Sequence, residues 1–192
     1  MSKKKKSSKP KPAPPQGFKI PNCIEIQDSG IHGSGLFATR DIEADEEIVE
    51  YLGEKITKAE SYKRAVAQLE RAEKGNEGAV YIFDLNKKYD IDGNFKWNPA
   101  RFINHSCEPN CDAYNIKGRI YIYSTKRIKK GGELLYNYGY DIEHYKDHPC
   151  LCGSSNCVGY IVHKDQWKEL KKRIRKDQKT EIISHKKSKL KK

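Results

Sequence analysis

Three cysteines fall within the eight-residue run CLCGSSNC at positions 150–157. Thiolates at Cys150, Cys152 and Cys157 can fill three corners of a zinc tetrahedron, with Gly153 and Ser154 letting the loop fold round the ion. Structural zinc takes four ligands, so one more must come from elsewhere. Cys107 and Cys111 qualify by type, while His144 and His148 lie nearer in sequence. Three unlinked thiols this close would invite oxidation, which favours a metal. A second group is the run RFINHSCEPN at 101–110, where Asn104 and His105 stand side by side. Both side chains donate and accept hydrogen bonds at fixed distances, as ligand recognition requires. The Gly33-x-Gly35 turn lets backbone approach a ligand closely, although such turns are more often plain hairpin corners.

The elements that must position these groups are mostly strands. Short β-branched or alternating runs occur at 23–26, 47–51, 79–83, 119–123 and 133–136, separated by turn residues. Ile116, Lys117 and Gly118 suit a hairpin tip. One helix interrupts them: Thr57 with Glu60 three positions on forms a capping box. Ala59, Tyr62, Val66 and Leu69 then follow a helical period until Gly75. A second helix is expected at 164–176, with Trp167, Leu170 and Ile174 on one face. The fold class is therefore mainly β, and no internal repeat is visible.

The charge is unevenly placed. Residues 1–20 hold seven lysines and no acid, and residues 163–192 hold thirteen basic and four acidic residues, against a total charge of +12. The stretch between them is mildly acidic, so basic tails flank a globular body. Such tails bind polyanions by counterion release, which makes nucleic acid a candidate contact. No apolar run matches a membrane span, and the Lys/Pro-rich start lacks the apolar stretch of a signal peptide. A reducing compartment is expected, with six cysteines as metal ligands or thiols.

The run at 101–110 closely resembles the RFINHSCxPN signature of SET-domain protein-lysine methyltransferases. HGSGLF at 32–37 is similar to that family's N-terminal glycine motif, EYLGE at 50–54 to its EYxGE strand, and ELLYNY at 133–138 to its ELTYDY. The C-x-C-x4-C run matches its post-SET segment. The resemblance covers 24–162 and implies a SET β-fold of small sheets with a helical insert at 57–75, a pseudo-knot and a zinc-bound post-SET clasp. It implies the division 1–20 disordered basic tail, 21–142 SET domain, 143–162 post-SET zinc segment and 163–192 helix and basic tail.

The resemblance also implies the site. The cofactor is S-adenosylmethionine, met by His32, Gly33, Ser34, Gly35, Tyr81, Arg101, Asn104, His105 and the backbone of Leu151. Cys107 completes the Zn2+ ligand set with Cys150, Cys152 and Cys157, leaving Cys111 and Cys23 as buried thiols. Tyr138 matches the catalytic tyrosine, and Tyr51 and Tyr136 line the substrate channel with it. The substrate is a lysine in a basic protein, histone or histone-like, and the enzyme is expected to be a monomer. Its place is the nucleus in a eukaryotic source, or the cytoplasm or a host-directed route in a bacterial one. Gly93, Trp97, Gly132, Leu135 and Asn137 depart from the family pattern, which bears on packing and substrate fit. Two rival readings are a non-enzymatic chromatin or nucleic-acid binding module and a zinc-dependent DNA-binding protein; the latter lacks the C-x2-C…H-x3-H spacing of a finger.

Overall fold

In the computed structural model, which describes residues 12–72 and 80–189, ten strands form four small sheets, and five of them overlap the five predicted runs. β1 (Ile24–Asp28) and β2 (Ser34–Ala38) make an antiparallel hairpin whose tip carries Gly33 at φ +50°. β3 (Glu47–Tyr51) forms where the sequence predicts it. β4 (Glu54–Thr57) runs directly into α1 (Lys58–Ala72). β5 (Ile82–Asp84) and β6 (Tyr89–Asp92) join β4 in a sheet ordered β4-β6-β5.

β7 (Asn104–His105) follows a 3-10 turn at Pro99–Phe102. β8 (Cys111–Ile116) and β9 (Arg119–Ser124) are joined through Lys117 and Gly118, both at positive φ as a two-residue hairpin turn requires. They complete the sheet β3-β9-β8. β10 (Leu135–Tyr136) then lies parallel to β7, with Leu135 opposite Asn104 and Tyr136 opposite His105. Asn110 grips the same segment, accepting from Leu135 N and donating to Glu133 O, both at 2.8 Å. β10 is thus held by two parts of the segment 104–110, the backbone of β7 and the side chain of Asn110.

Alternation along β9 sends Ile120 and Ile122 inward, where Leu36, Ile42, Ile103 and Leu134 complete a core almost devoid of solvent. A second cluster of Ile142, Tyr145, Val162 and Leu170 lies under α2 (Trp167–Lys189). That helix passes the expected end at 176 because no glycine or proline interrupts 167–189. Residues 1–11 of the predicted tail, and the predicted helix end at Gly75, lie outside the described residues.

α1 turns a polar face to its sheet, opposite to what its apolar period suggests. Thr57 Oγ1 caps it by accepting from Glu60 N at 3.3 Å. Tyr62 is 75% exposed, and Val66 and Leu69 also face solvent. The inner face carries Arg64, bonded to Glu54 at 2.7 Å and to buried Asp92 at 2.8 Å, and Gln68, which accepts from Tyr81 N at 3.1 Å. Buried acids on β6 need partners more than the sheet needs apolar cover, so the helix is oriented by its charges.

Candidate active site and metal centre

The sulfurs of Cys107, Cys150, Cys152 and Cys157 all lie within 4.8 Å of one another. Cys107 Sγ is 3.8 Å from Cys150 Sγ and 4.0 Å from Cys157 Sγ. A tetrahedral zinc with Zn–S bonds near 2.3 Å sets its sulfurs about 3.8 Å apart, so the cradle fits that ion. Burial pushes the Cys107 thiol up to about 11. At Cys152 burial is outweighed by the Cys107 N–H and the Ser154 hydroxyl, and its pKa falls to about 6. Converging thiolates call for a dication to offset their repulsion. Cys111 and Cys23 lie buried apart from this group, and burial raises both thiols, Cys111 to about 12. His144 and His148 are not part of the cluster; His148 instead faces Tyr140, their rings 4.6 Å apart.

Three consecutive residues tie this centre to everything else. His105 Nδ1 accepts from Tyr138 N at 3.2 Å, which leaves Nε2 as the protonated nitrogen, 3.7 Å from Cys107 Sγ. Burial lowers the His105 pKa to about 4, so the ring is neutral. Its side chain is thereby engaged between Tyr138 and the cysteine cluster. Asn104 Nδ2 points at His32 O (3.3 Å), Ser34 O (3.2 Å) and Glu133 Oε1 (2.8 Å), pinning the glycine turn to β7. Ile103 O accepts from the Tyr138 hydroxyl at 3.0 Å.

The glycine turn is packed on one side and open on the other. A Cβ on Gly35 would collide with the Glu133 carboxylate, and Gly33 faces open space. Beside it, Arg101 stacks its guanidinium 4.1 Å over the Tyr81 ring. Its Nε is a buried donor without a partner among the described residues, which a ligand acceptor would satisfy. The residues present therefore suit a polar cofactor such as S-adenosylmethionine. Leu151, between Cys150 and Cys152, is 73% exposed.

A row of aromatic rings leads away from this point. Centroids are 5.2 Å apart for Tyr51 and Phe83, 6.1 Å for Phe83 and Tyr136, 4.9 Å for Tyr136 and Tyr138, and 5.7 Å for Tyr138 and Tyr140. The Tyr51 hydroxyl donates to Tyr81 O at 2.9 Å. Burial raises the pKa of Tyr51, Tyr136 and Tyr138 above the ordinary phenol value, and that of Tyr140 to about 12. All four stay neutral at physiological pH, so none is a phenolate base. The row disfavours a charged amine by desolvation and offers it oxygen lone pairs.

Sequence reasoning missed Phe83, Tyr140, Glu133 and Gln68. Phe83 was legible as the partner of Tyr81 on one face of a period-2 run. The departures from pattern also find local reasons. Gly93 lies against the Tyr51 ring, where a Cβ would come within 2.5 Å. Asn137 bonds Gly139 N at 2.8 Å and Val162 O at 3.4 Å, joining the tyrosine row to the second core. Trp97 holds the start of the described chain, its Nε1 donating to Pro12 O at 3.0 Å.

Residues 33–139 match the family model described as SET domain. Over 142 residues, 72% of this chain, the sequence is 44% identical to a Caenorhabditis elegans protein named histone-lysine N-methyltransferase set-2, of which 9% is covered. It is 39% identical over 146 residues to an Aspergillus oryzae histone-lysine N-methyltransferase named as H3 lysine-4 specific, covering 72% of this chain and 11% of that one. To human histone-lysine N-methyltransferase 2D it is 38% identical over 141 residues, 71% of this chain and 2% of that one. The chain thus spans about a tenth or less of these relatives' lengths.

Proposed function

Because the chain belongs to the SET domain family, we propose that it methylates lysine side chains of a basic protein, a histone or histone-like tail. S-adenosylmethionine, when bound, supplies an electrophilic methyl and a positive sulfur that further disfavours an ammonium nearby. His32, Gly33, Ser34, Gly35, Tyr81, Arg101, Asn104, His105 and the Leu151 backbone would hold it. Zn2+ on Cys107, Cys150, Cys152 and Cys157 would clasp the post-SET segment over the site.

The chain's own residues do the rest. A free lysine carries its proton up to pH about 10.4. Between Tyr51, Phe83 and Tyr136 that charge loses its water, so the amine is shed of its proton to solvent at the channel mouth. Tyr138, held at both its backbone N–H and its hydroxyl, orients the nitrogen for in-line attack. The observation that carries this reading is the segment 103–105, which joins tyrosine row, glycine turn and thiolate cluster within three residues. A non-enzymatic module would have no use for that convergence.

The enzyme acts as a monomer where basic chromatin proteins occur: the nucleus of a eukaryotic source, or the cytoplasm or a host cell for a bacterial one. Among the described residues no helix is long and apolar enough to cross a membrane. The basic tails contact polyanions such as nucleic acid. Purified protein with tritiated S-adenosylmethionine and core histones should give methyl-lysine by mass spectrometry, and Tyr138→Phe should not. Equal labelling by that variant, or none by the parent across a panel of basic proteins, would overturn the reading.

A further inference from the structure

Residues 168–179 of α2 read KELKKRIRKDQK, with seven basic and two acidic side chains. Contacts settle the inner face of this helix. Leu170 is fully buried and Ile174 packs on the second core. Trp167 Nε1 donates to Val162 O at 3.1 Å, and Arg173 reaches Glu143 at 2.9 Å. Asp177 accepts from the Tyr145 hydroxyl and from Lys146, both at 2.6 Å. These bonds fix the rotation of α2 against the segment 142–147, and so decide which side chains point away from the body. Those are Lys168, Lys171, Lys172, Arg175, Lys176 and Lys179, all exposed. At 3.6 residues per turn they occupy an arc of about 140°, and at 1.5 Å per residue they run for about 17 Å. Asp177 is turned inward, and Glu169 sits at the edge of the stripe, paired with Lys172 at 3.4 Å and Arg173 at 3.8 Å. The helix lies outside the residues 33–139 that match the family model, so the family fold does not account for the stripe.

Six like charges this close repel one another, and a polyanion relieves that repulsion while releasing its own counterions. A lipid surface fits poorly, because the two apolar side chains of 168–179, Leu170 and Ile174, both face inward and leave none to enter the membrane. A single strand fits poorly too. Trp167 is the only aromatic residue of 167–180 and bonds toward the body, so the stripe offers no ring for bases to stack on. Duplex RNA has a deep, narrow major groove that shuts a helix out. Duplex DNA carries one charge per about 1.7 Å of its axis. Its major groove, about 12 Å wide, admits a helix of about 10–12 Å diameter.

We propose that α2 docks on duplex DNA through Lys168, Lys171, Lys172, Arg175, Lys176 and Lys179, each paired with a backbone phosphate. The inference rests on the polyanion contact proposed above for the basic C-terminal segment, and names its surface and its partner. Phosphate contacts carry no base readout, so binding is independent of sequence. Six of them, at about −0.9 each, contribute about −5 to the slope of log K against log salt.

Fluorescence anisotropy of a labelled DNA duplex, titrated with the full chain from about 50 to about 200 mM salt, tests this. Lys168→Gln, Arg175→Gln and Lys179→Gln together should weaken binding at least about tenfold and flatten the slope by about three. That variant should melt with the parent, since all three side chains are exposed. Lys168→Arg with Lys179→Arg keeps the charge and should bind as the parent does. Glutamine at Lys87, Lys88 and Lys126, which are exposed elsewhere, should cost far less than the α2 triple. If the α2 triple binds as tightly as the parent, or the second triple weakens binding equally, the α2 surface is wrong while the polyanion contact stands. Tighter binding to RNA or to phosphatidylserine vesicles than to the DNA duplex at equal salt overturns DNA as the partner. A parent that binds none of these overturns the polyanion contact as well.

Discussion

One methyl group added at Gly93 should displace the Tyr51 wall of the channel. The new Cβ would lie 2.5 Å from Tyr51 Cε1 and 2.6 Å from both Cζ and the hydroxyl oxygen, whereas ordinary contact begins near 3.4 Å. The ring must then retreat by about 1 Å. Only 4% exposed, Tyr51 has no solvent to swing into, and such a shift breaks the 2.9 Å hydroxyl bond to Tyr81 O. Overpacking costs about 1–3 kcal/mol and the lost hydrogen bond about 1 more. For a domain of this size that is a fall in Tm of roughly 5–15 °C. A wall misplaced by 1 Å should also lower kcat/KM by about 100-fold. Thermal melts and initial rates on a lysine peptide measure both, with Gly30→Ala, which meets nothing within 4 Å, as the neutral control. If Gly93→Ala melts with the parent and turns over within twofold of it, the close packing inferred here is wrong.

Purified protein should contain one zinc per chain by elemental analysis, and Cys107→Ser should lose the metal, the activity and the protease resistance of 143–162. Tyr136 stacks within the channel, so its hydroxyl should restrict an already methylated nitrogen; mass spectra should show mainly monomethyl-lysine from the parent and a shift upward with Tyr136→Phe. Trimethyl-lysine as the chief early product of the parent would falsify this. Leu170, fully buried against the second core, should cost about 2–5 kcal/mol on truncation to Ala, whereas ending the chain at residue 178 should leave peptide methylation intact.

Where a strand buries apolar side chains, its outline was legible beforehand: β3 and the β8–β9 turn fall where alternation and turn residues put them. β6 was not, because its sequence YDID buries two acids, and a buried carboxylate looks like a surface one until its partner is known. Those partners are Lys58 and Arg64 on α1, whose apolar period points the other way. Asn104, His105 and Cys107 came from the resemblance of 101–110 to the family signature; residue type alone left the fourth thiolate partner open. Glu133 and Gln68 act on residues 29 and 13 positions away, and such pairings exist only after folding.

The two hydrophobic clusters share no residue. Each can therefore open with its own free energy, and the smaller, with four buried members, should exchange its amide protons through subglobal unfolding well before the larger. Tyr140 sits on the chain between them and His148 within the minor unit; His163 N donates to Tyr140 O and Ile161 N to His148 O, both at 2.9 Å. Tyr140, at one end of the aromatic row, is thus joined to a foldon that can lift while the larger unit keeps its shape. If the row lines the proposed channel, such a division of stability would open one end of it without disturbing the strands that hold Tyr51 and Asn104.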